Sequence, residues 1–242
     1  MNLPSAEHSH GSRQNDDQFE EWTRQGHEPP VPMTRFVMLY VRSRRVGWAV
    51  LTLALLALGS WIGSAWLFAQ PEFGIGTGSL RPLLIFATFA SASVVGTSAD
   101  SPFGETERTA ARPLPPVRFG HLAALLLIAV FLLLVVLTSF DLENVQSSHP
   151  VLALVRNLGG LGGLTLLTAR LIGARLSWTV PLAFVMTSYL AAKLPDDTFA
   201  AWAWHMQPGR DGLSWIIAAA LIFAGLAVVS LYGTRENVGE SE

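Results

Sequence analysis

The sequence predicts an all-α, polytopic membrane protein with six transmembrane helices and both termini in the cytoplasm. Three observations predict it. Half of the 242 residues are hydrophobic, only 14% are charged, and the mean hydropathy is +0.39. A soluble domain of this length needs more polar surface than that to cover itself. The apolar residues also come in blocks, not in the alternation of an amphipathic helix or a half-buried strand. About 20 apolar residues rising 1.5 Å each match a hydrocarbon core of roughly 30 Å. Finally, the basic residues cluster in every second connection, as the positive-inside rule requires.

The spans are expected near 46–69, 80–98, 119–140, 150–172, 177–194 and 213–233. The first and third are long and almost free of ionisable groups. The second ends in Ser91, Ser93, Thr97 and Ser98 and is the most polar. The fifth is short and carries Pro181 near its start, where the first turn has no partner for the missing N–H. Orientation follows from the arginines. Arg35, Arg42, Arg44 and Arg45 precede the first span, and Arg108, Arg112 and Arg118 follow the second. Arg170 and Arg175 separate the fourth from the fifth, and Arg235 follows the sixth. The alternate connections hold only Arg81, Lys193 and Arg210, among Glu72, Asp141, Glu143, Asp196, Asp197 and Asp211. Ten basic residues against three, in strict alternation, orient all six spans together.

Several functions are excluded at this level. With no cysteine there is no disulfide, thiolate metal site, Cys nucleophile or lipobox anchor. The run Gly74-Ile75-Gly76-Thr77-Gly78 lacks the Lys of a P-loop and a following helix, so ATP is not bound that way. There is no H-E-x-x-H and no G-x-S-x-G elbow, and Ser147-Ser148-His149 stands without basic partners. No catalytic constellation is expected, nor any cofactor, metal or nucleic acid on this chain. Residues 1–30 hold scattered acids and prolines and read as a disordered cytoplasmic tail, not a signal peptide. His8 and His10 in that tail read as solvated. Residues 236–242 form a second short cytoplasmic tail.

Four other features stand out. Residues 31–45 mix Phe36, Met38, Leu39 and Tyr40 with Arg35, Arg42, Arg44 and Arg45, the pattern of a helix lying in the interface. The loop 100–118 carries Asp100, Glu105, Glu107, Arg108 and Arg112, and a short helix over 105–111 is expected in it, with a solvated inter-span loop as the alternative. Pro113, Pro115 and Pro116 are expected to stop that helix and force an extended approach to the third span. The external connection 195–214 holds Phe199, Trp202, Trp204, Met206 and Trp215, which predicts short interfacial or re-entrant helices. Arg156 is the one ionisable residue well inside a span. It is expected to snorkel outward or to pair with Asp141, Glu143, Asp196 or Asp197; lining a substrate cavity together with Asn157 is the alternative. Gly159, Gly160, Gly162 and Gly163, like Gly59 and Gly63, are expected to allow close helix packing.

An amphipathic segment before the first span, a structured loop between spans two and three, and an aromatic external segment between spans five and six occur together here. This layout over residues 31–235 resembles the ABC-2-type transporter permeases, and among them the small six-span subunits of bacterial exporters. The resemblance implies a subunit of the bacterial cytoplasmic membrane that moves a hydrophobic, drug-like or peptide substrate. It implies that Asp100, Phe103, Glu105, Glu107, Arg108 and Arg112 form a coupling helix docking on a separate ATPase subunit, which holds the ATP and Mg²⁺. It also implies a dimer with a second copy or a related permease. The competing expectation is a non-transport membrane protein, an immunity or assembly factor that works without a nucleotide-binding partner.

Overall fold

The computed structural model describes residues 46–69, 80–100, 114–139, 149–196 and 198–234. These form six α-helices: α1 (Val46–Ala69), α2 (Leu80–Ser98), α3 (Leu114–Thr138), α4 (Pro150–Ile172), α5 (Thr179–Ala191) and α6 (Gly212–Tyr232). Each lies within an expected span or extends it by a few residues. Two 3₁₀ turns, Ala174–Leu176 and Trp204–Met206, flank α5. The described residues contain no strand beyond an isolated antiparallel bridge between Lys193 and Phe199.

Four helices, α1, α3, α4 and α6, are long and apolar enough to cross a membrane. The features are those of a multi-pass helical membrane protein. α5 falls short of the length expected of it, with 13 residues against a predicted 18-residue span. Its chain leaves the helix at Ala192, because the next residues pair with each other instead. Leu194 N–H donates to Thr198 at 2.9 Å and Ala200 N–H to Ala192 at 2.8 Å, closing a small hairpin. At α3 the expectation of an extended approach is corrected in the other direction. The helix starts at Leu114 and takes Pro115 and Pro116 into its first turn. Proline is tolerated there because those N–H groups would lack an intrahelical acceptor anyway.

α4 is the centre of the bundle, packed most extensively on α6, then on α2, and also on α3 and α5. Its glycines make this possible. A Cβ on Gly163 would strike the backbone of Leu221 and Ile222, and one on Gly225 would strike the Gly163 main chain. The two helices therefore touch backbone to backbone, the contact that small residues permit where lipid removes the hydrophobic drive. The expected packing role holds for Gly163, and α4 continues unbroken through the glycine run. It does not hold for Gly59, which has nothing near its Cβ position, and Gly63 makes only ordinary contact with Leu83. At the end of α4, Gly173 takes φ 100°, a left-handed value that lets the chain turn into the 3₁₀ segment.

Among the described residues, large apolar side chains are exposed along the long helices. Trp48, Leu51, Leu55, Leu58, Ile62 and Trp66 are exposed along α1, and Leu127, Phe131 and Val135 along α3. Such exposed apolar faces fit lipid contact. Trp48 and Trp66 are 68% and 56% exposed. Eighteen residues of helix bring both to one face about 27 Å apart, close to the thickness of a hydrocarbon core. Interfacial anchoring by aromatic rings follows from that spacing.

Candidate functional site

The polar site of the bundle is built where the connection between α5 and α6 folds back onto α4. α4 supplies Arg156 and Asn157 from its second turn. The connection supplies main-chain oxygens, presented by the 3₁₀ turn Trp204–Met206 and the Gln207-Pro208-Gly209 corner after it. Arg156 is 1% exposed. Its Nη1 donates to the Pro208 carbonyl at 2.7 Å and its Nη2 to those of Gln207 and His205 at 2.9 and 3.4 Å. Nε and Nη2 also reach Asn157 Oδ1 at 3.2 and 3.1 Å, and Asn157 Nδ2 donates to the His205 carbonyl at 2.8 Å. One planar guanidinium thus spans three main-chain carbonyls within four residues, with Asn157 accepting from its Nε edge.

This corrects the expected surroundings of Arg156. The side chain does not snorkel, and its direct partners among the described residues are carbonyl oxygens, not carboxylates. Asp196, one of the expected partners, is instead exposed and engaged with Thr198. Asp141, Glu143 and Asp197 lie outside the described residues. The acid that does act on Arg156 electrostatically is Asp211. Asp211 caps α6, accepting from Ser214 N–H at 2.8 Å and from the Ser214 hydroxyl. The Ser214 side-chain bond, then its backbone bond, hold the Asp211 carboxyl below the usual range, with Arg156 adding to the effect.

Apolar packing completes the docking. Ala203, Trp204, His205 and Met206 are all buried, while their neighbours Ala201 and Trp202 are exposed. The Trp204 indole lies against Gly160, so that a Cβ there would strike its ring. Phe184 of α5 stacks on Trp204 with centroids 6.0 Å apart and meets His205 at 5.0 Å and Trp202 at 6.3 Å. The segment is also tied to itself: Gln207 Nε2 donates to Phe199 and Ala200, and Trp215 Nε1 to the Gly209 carbonyl at 2.8 Å. Of the short helices expected here, the described residues form only the 3₁₀ turn Trp204–Met206; Trp204 and Met206 turn back into the protein, whereas Trp202 stays outside. Gly160 serves here as the notch for an indole.

Of the residues singled out for coupling, Asp100 follows the end of α2, its N–H bonded to the Thr97 carbonyl at 3.3 Å. Phe103, Glu105, Glu107, Arg108 and Arg112 lie outside the described residues, as do Arg35, Arg42, Arg44 and Arg45. His205, Gln207, Pro208 and Asp211 were not singled out by sequence reasoning as partners of Arg156. The Pro-Gly corner at 208–209 was the available signal, since a buried guanidinium needs acceptors and such a corner exposes carbonyls. Among the described residues no group of three or more His, Asp or Glu is placed to hold a metal. No known protein family, curated protein or solved structure matches this chain.

Proposed function

We propose that this chain is the membrane-spanning permease subunit of an ATP-driven exporter of the ABC-2 type. In this reading it sits in a bacterial cytoplasmic membrane, crosses it six times with both ends inside, and moves a hydrophobic, drug-like or peptide substrate. ATP and Mg²⁺ are bound by a separate ATPase subunit, and a second copy or a related permease completes the conduit.

The observation that carries the reading is the folded connection between α5 and α6. On the outward side of a six-span subunit, an aromatic segment would ordinarily float at the headgroups. Here it is drawn into the bundle and locked by Arg156 and Asn157 to α4, the helix on which α2, α3, α5 and α6 all pack. A force applied at the inner ends of the helices would therefore move this segment together with α4. That is the mechanical link a nucleotide-driven exporter needs between its inner and outer faces. Arg156 acts in this mechanism as a brace. Its donors are committed to main-chain oxygens and to Asn157 Oδ1, so recognition of the substrate falls to apolar surface.

The test is purification of a tagged copy from its native host, followed by identification of bound proteins and an ATPase assay. Co-purification of a nucleotide-binding subunit, lost on Glu105→Arg/Glu107→Arg, supports the reading. Full function without any nucleotide-binding partner refutes it and favours an immunity or assembly factor. Labelling of a cysteine at position 105 only from outside the cell would remove the coupling assignment.

A further inference from the structure

The His205 ring has no role in the brace, although its own carbonyl is the point where Arg156 and Asn157 converge. The side chain is 2% exposed, and neither Nδ1 nor Nε2 has a hydrogen-bond partner among the described residues. Its ring lies 5.0 Å from that of Phe184 and 5.6 Å from that of Trp204, centroid to centroid. We propose that the segment 203–208 is an acid-released latch, docked on α4 while the His205 imidazole is neutral and undocked when that ring takes a proton.

The surroundings of the ring favour one charge state. A neutral imidazole is a tolerable aromatic neighbour for Phe184 and Trp204. An imidazolium would need acceptors for two N–H groups, and the site offers none among the described residues. The charged group acting on the ring is Arg156 of α4, which is itself positive. α5 presents the ring of Phe184. From the head of α6, Asp211 acts on Arg156 and is committed to Ser214. The face of Phe184 can offer a cation–π contact, but it satisfies neither N–H and does not cancel the guanidinium. Burial first, and the Arg156 charge second, push the ring from 6.5 down to about 4.

The sign follows by linkage. The docked state holds the imidazole with the lower affinity for protons, so docking is at full strength above the ordinary histidine value. Between about pH 6.5 and 4 the docking constant falls by up to tenfold per pH unit, on the order of 100-fold in all, and it levels off in stronger acid. The latch is a property of the fold and does not depend on the chain being a permease.

The absence of cysteine makes the test direct. A single thiol is placed at the buried Met206 (Met206→Cys), and a second variant carries Ala201→Cys on the exposed side as a control. Each full-length, detergent-solubilised protein is reacted with 4,4′-dithiodipyridine, which attacks thiols in acid as well as at neutrality. The labelling rate at 206 relative to 201 is expected to rise at least tenfold between pH 7.5 and 4.5. Combining Met206→Cys with His205→Phe or His205→Asn is expected to abolish the rise. A flat ratio overturns the latch, and so does a rise that persists in both His205 variants, which would assign the acid response to another group. An NMR titration of the histidine rings in the folded wild-type protein gives an independent check. If the His205 ring titrates near 6.5 in that protein, the proposal is wrong.

Discussion

The Nη1 of Arg156 donates to the main-chain carbonyl of Pro208 at 2.7 Å, joining the second turn of α4 to the chain that leads into α6. Fifty-two residues separate the two. A charge that a lipid-facing helix could not carry is thereby solvated by backbone dipoles, and a connection that would otherwise be loose is fixed in place.

Removing the charge while keeping an apolar stem should release the connection. Arg156→Met leaves the carbonyls of Gln207 and Pro208 without their donor and that of His205 with Asn157 alone, and a loss of about 3 kcal/mol is expected. Arg156→Lys should recover less than half of it, because one ammonium cannot span three carbonyls as a planar fork does. Equilibrium unfolding in mixed micelles measures both. Equal stability of the Met variant and the wild type would show that the brace contributes nothing.

Trp204 and Gly160 should be coupled through shape alone. Trp204→Ala is expected to cost about 3–4 kcal/mol, since a buried indole is lost. Gly160→Val should be severe when Trp204 is present, because its side chain occupies the space of the ring. In the Trp204→Ala background the same change should be much milder. A double-mutant cycle with strong coupling is the expected result, and additive effects would mean that the two do not share the notch.

The helix crossing makes a sharper contrast between glycines. Gly163→Ala and Gly225→Val place a Cβ against backbone, which cannot step aside as a side chain does, so losses above about 2 kcal/mol are expected. Gly59→Ala meets nothing within 4 Å. Its effect should stay within about 1 kcal/mol, the size of the helix-propensity difference. Monodisperse yield and thermal unfolding separate the two classes.

Asp211 joins capping to pH. Asp211→Ala should cost about 1 kcal/mol through loss of the N-cap of α6. The wild-type carboxyl titrates below its ordinary value of 3.8 because Ser214 donates to it twice. Its contribution is therefore complete above that value and is lost as the pH falls through the lower, folded one. Stability curves of wild type and Asp211→Ala should run parallel above about pH 5 and converge in stronger acid. Curves that stay parallel throughout would exclude the cap as the source of the difference.

The positions of the helices could be read from the amino-acid order, because a span is a local property: enough apolar residues in a row to match lipid. α1, α2 and α4 keep the expected bounds, and α6 is shifted by one residue at each end. Where the ends departed, a contact of another kind intervened. Pro115 and Pro116 joined the first turn of α3, and the pairing of Ala192 with Ala200 shortened α5. The arginines of 35–45 and the charged residues of 103–112 lie outside the described residues.

The chain itself determined that Arg156 must find partners, since a guanidinium among apolar residues cannot remain unsatisfied. Only the tertiary fold decided which ones. Every peptide unit carries the same carbonyl, so no residue type marks the oxygen that will accept. The choice of His205, Gln207 and Pro208 depends on how a hairpin, a 3₁₀ turn and a notch at Gly160 bring that backbone to α4. His205 is the same case seen from the other side. Its burial beside a positive charge comes from distant packing, to which its immediate neighbours in the chain give no clue.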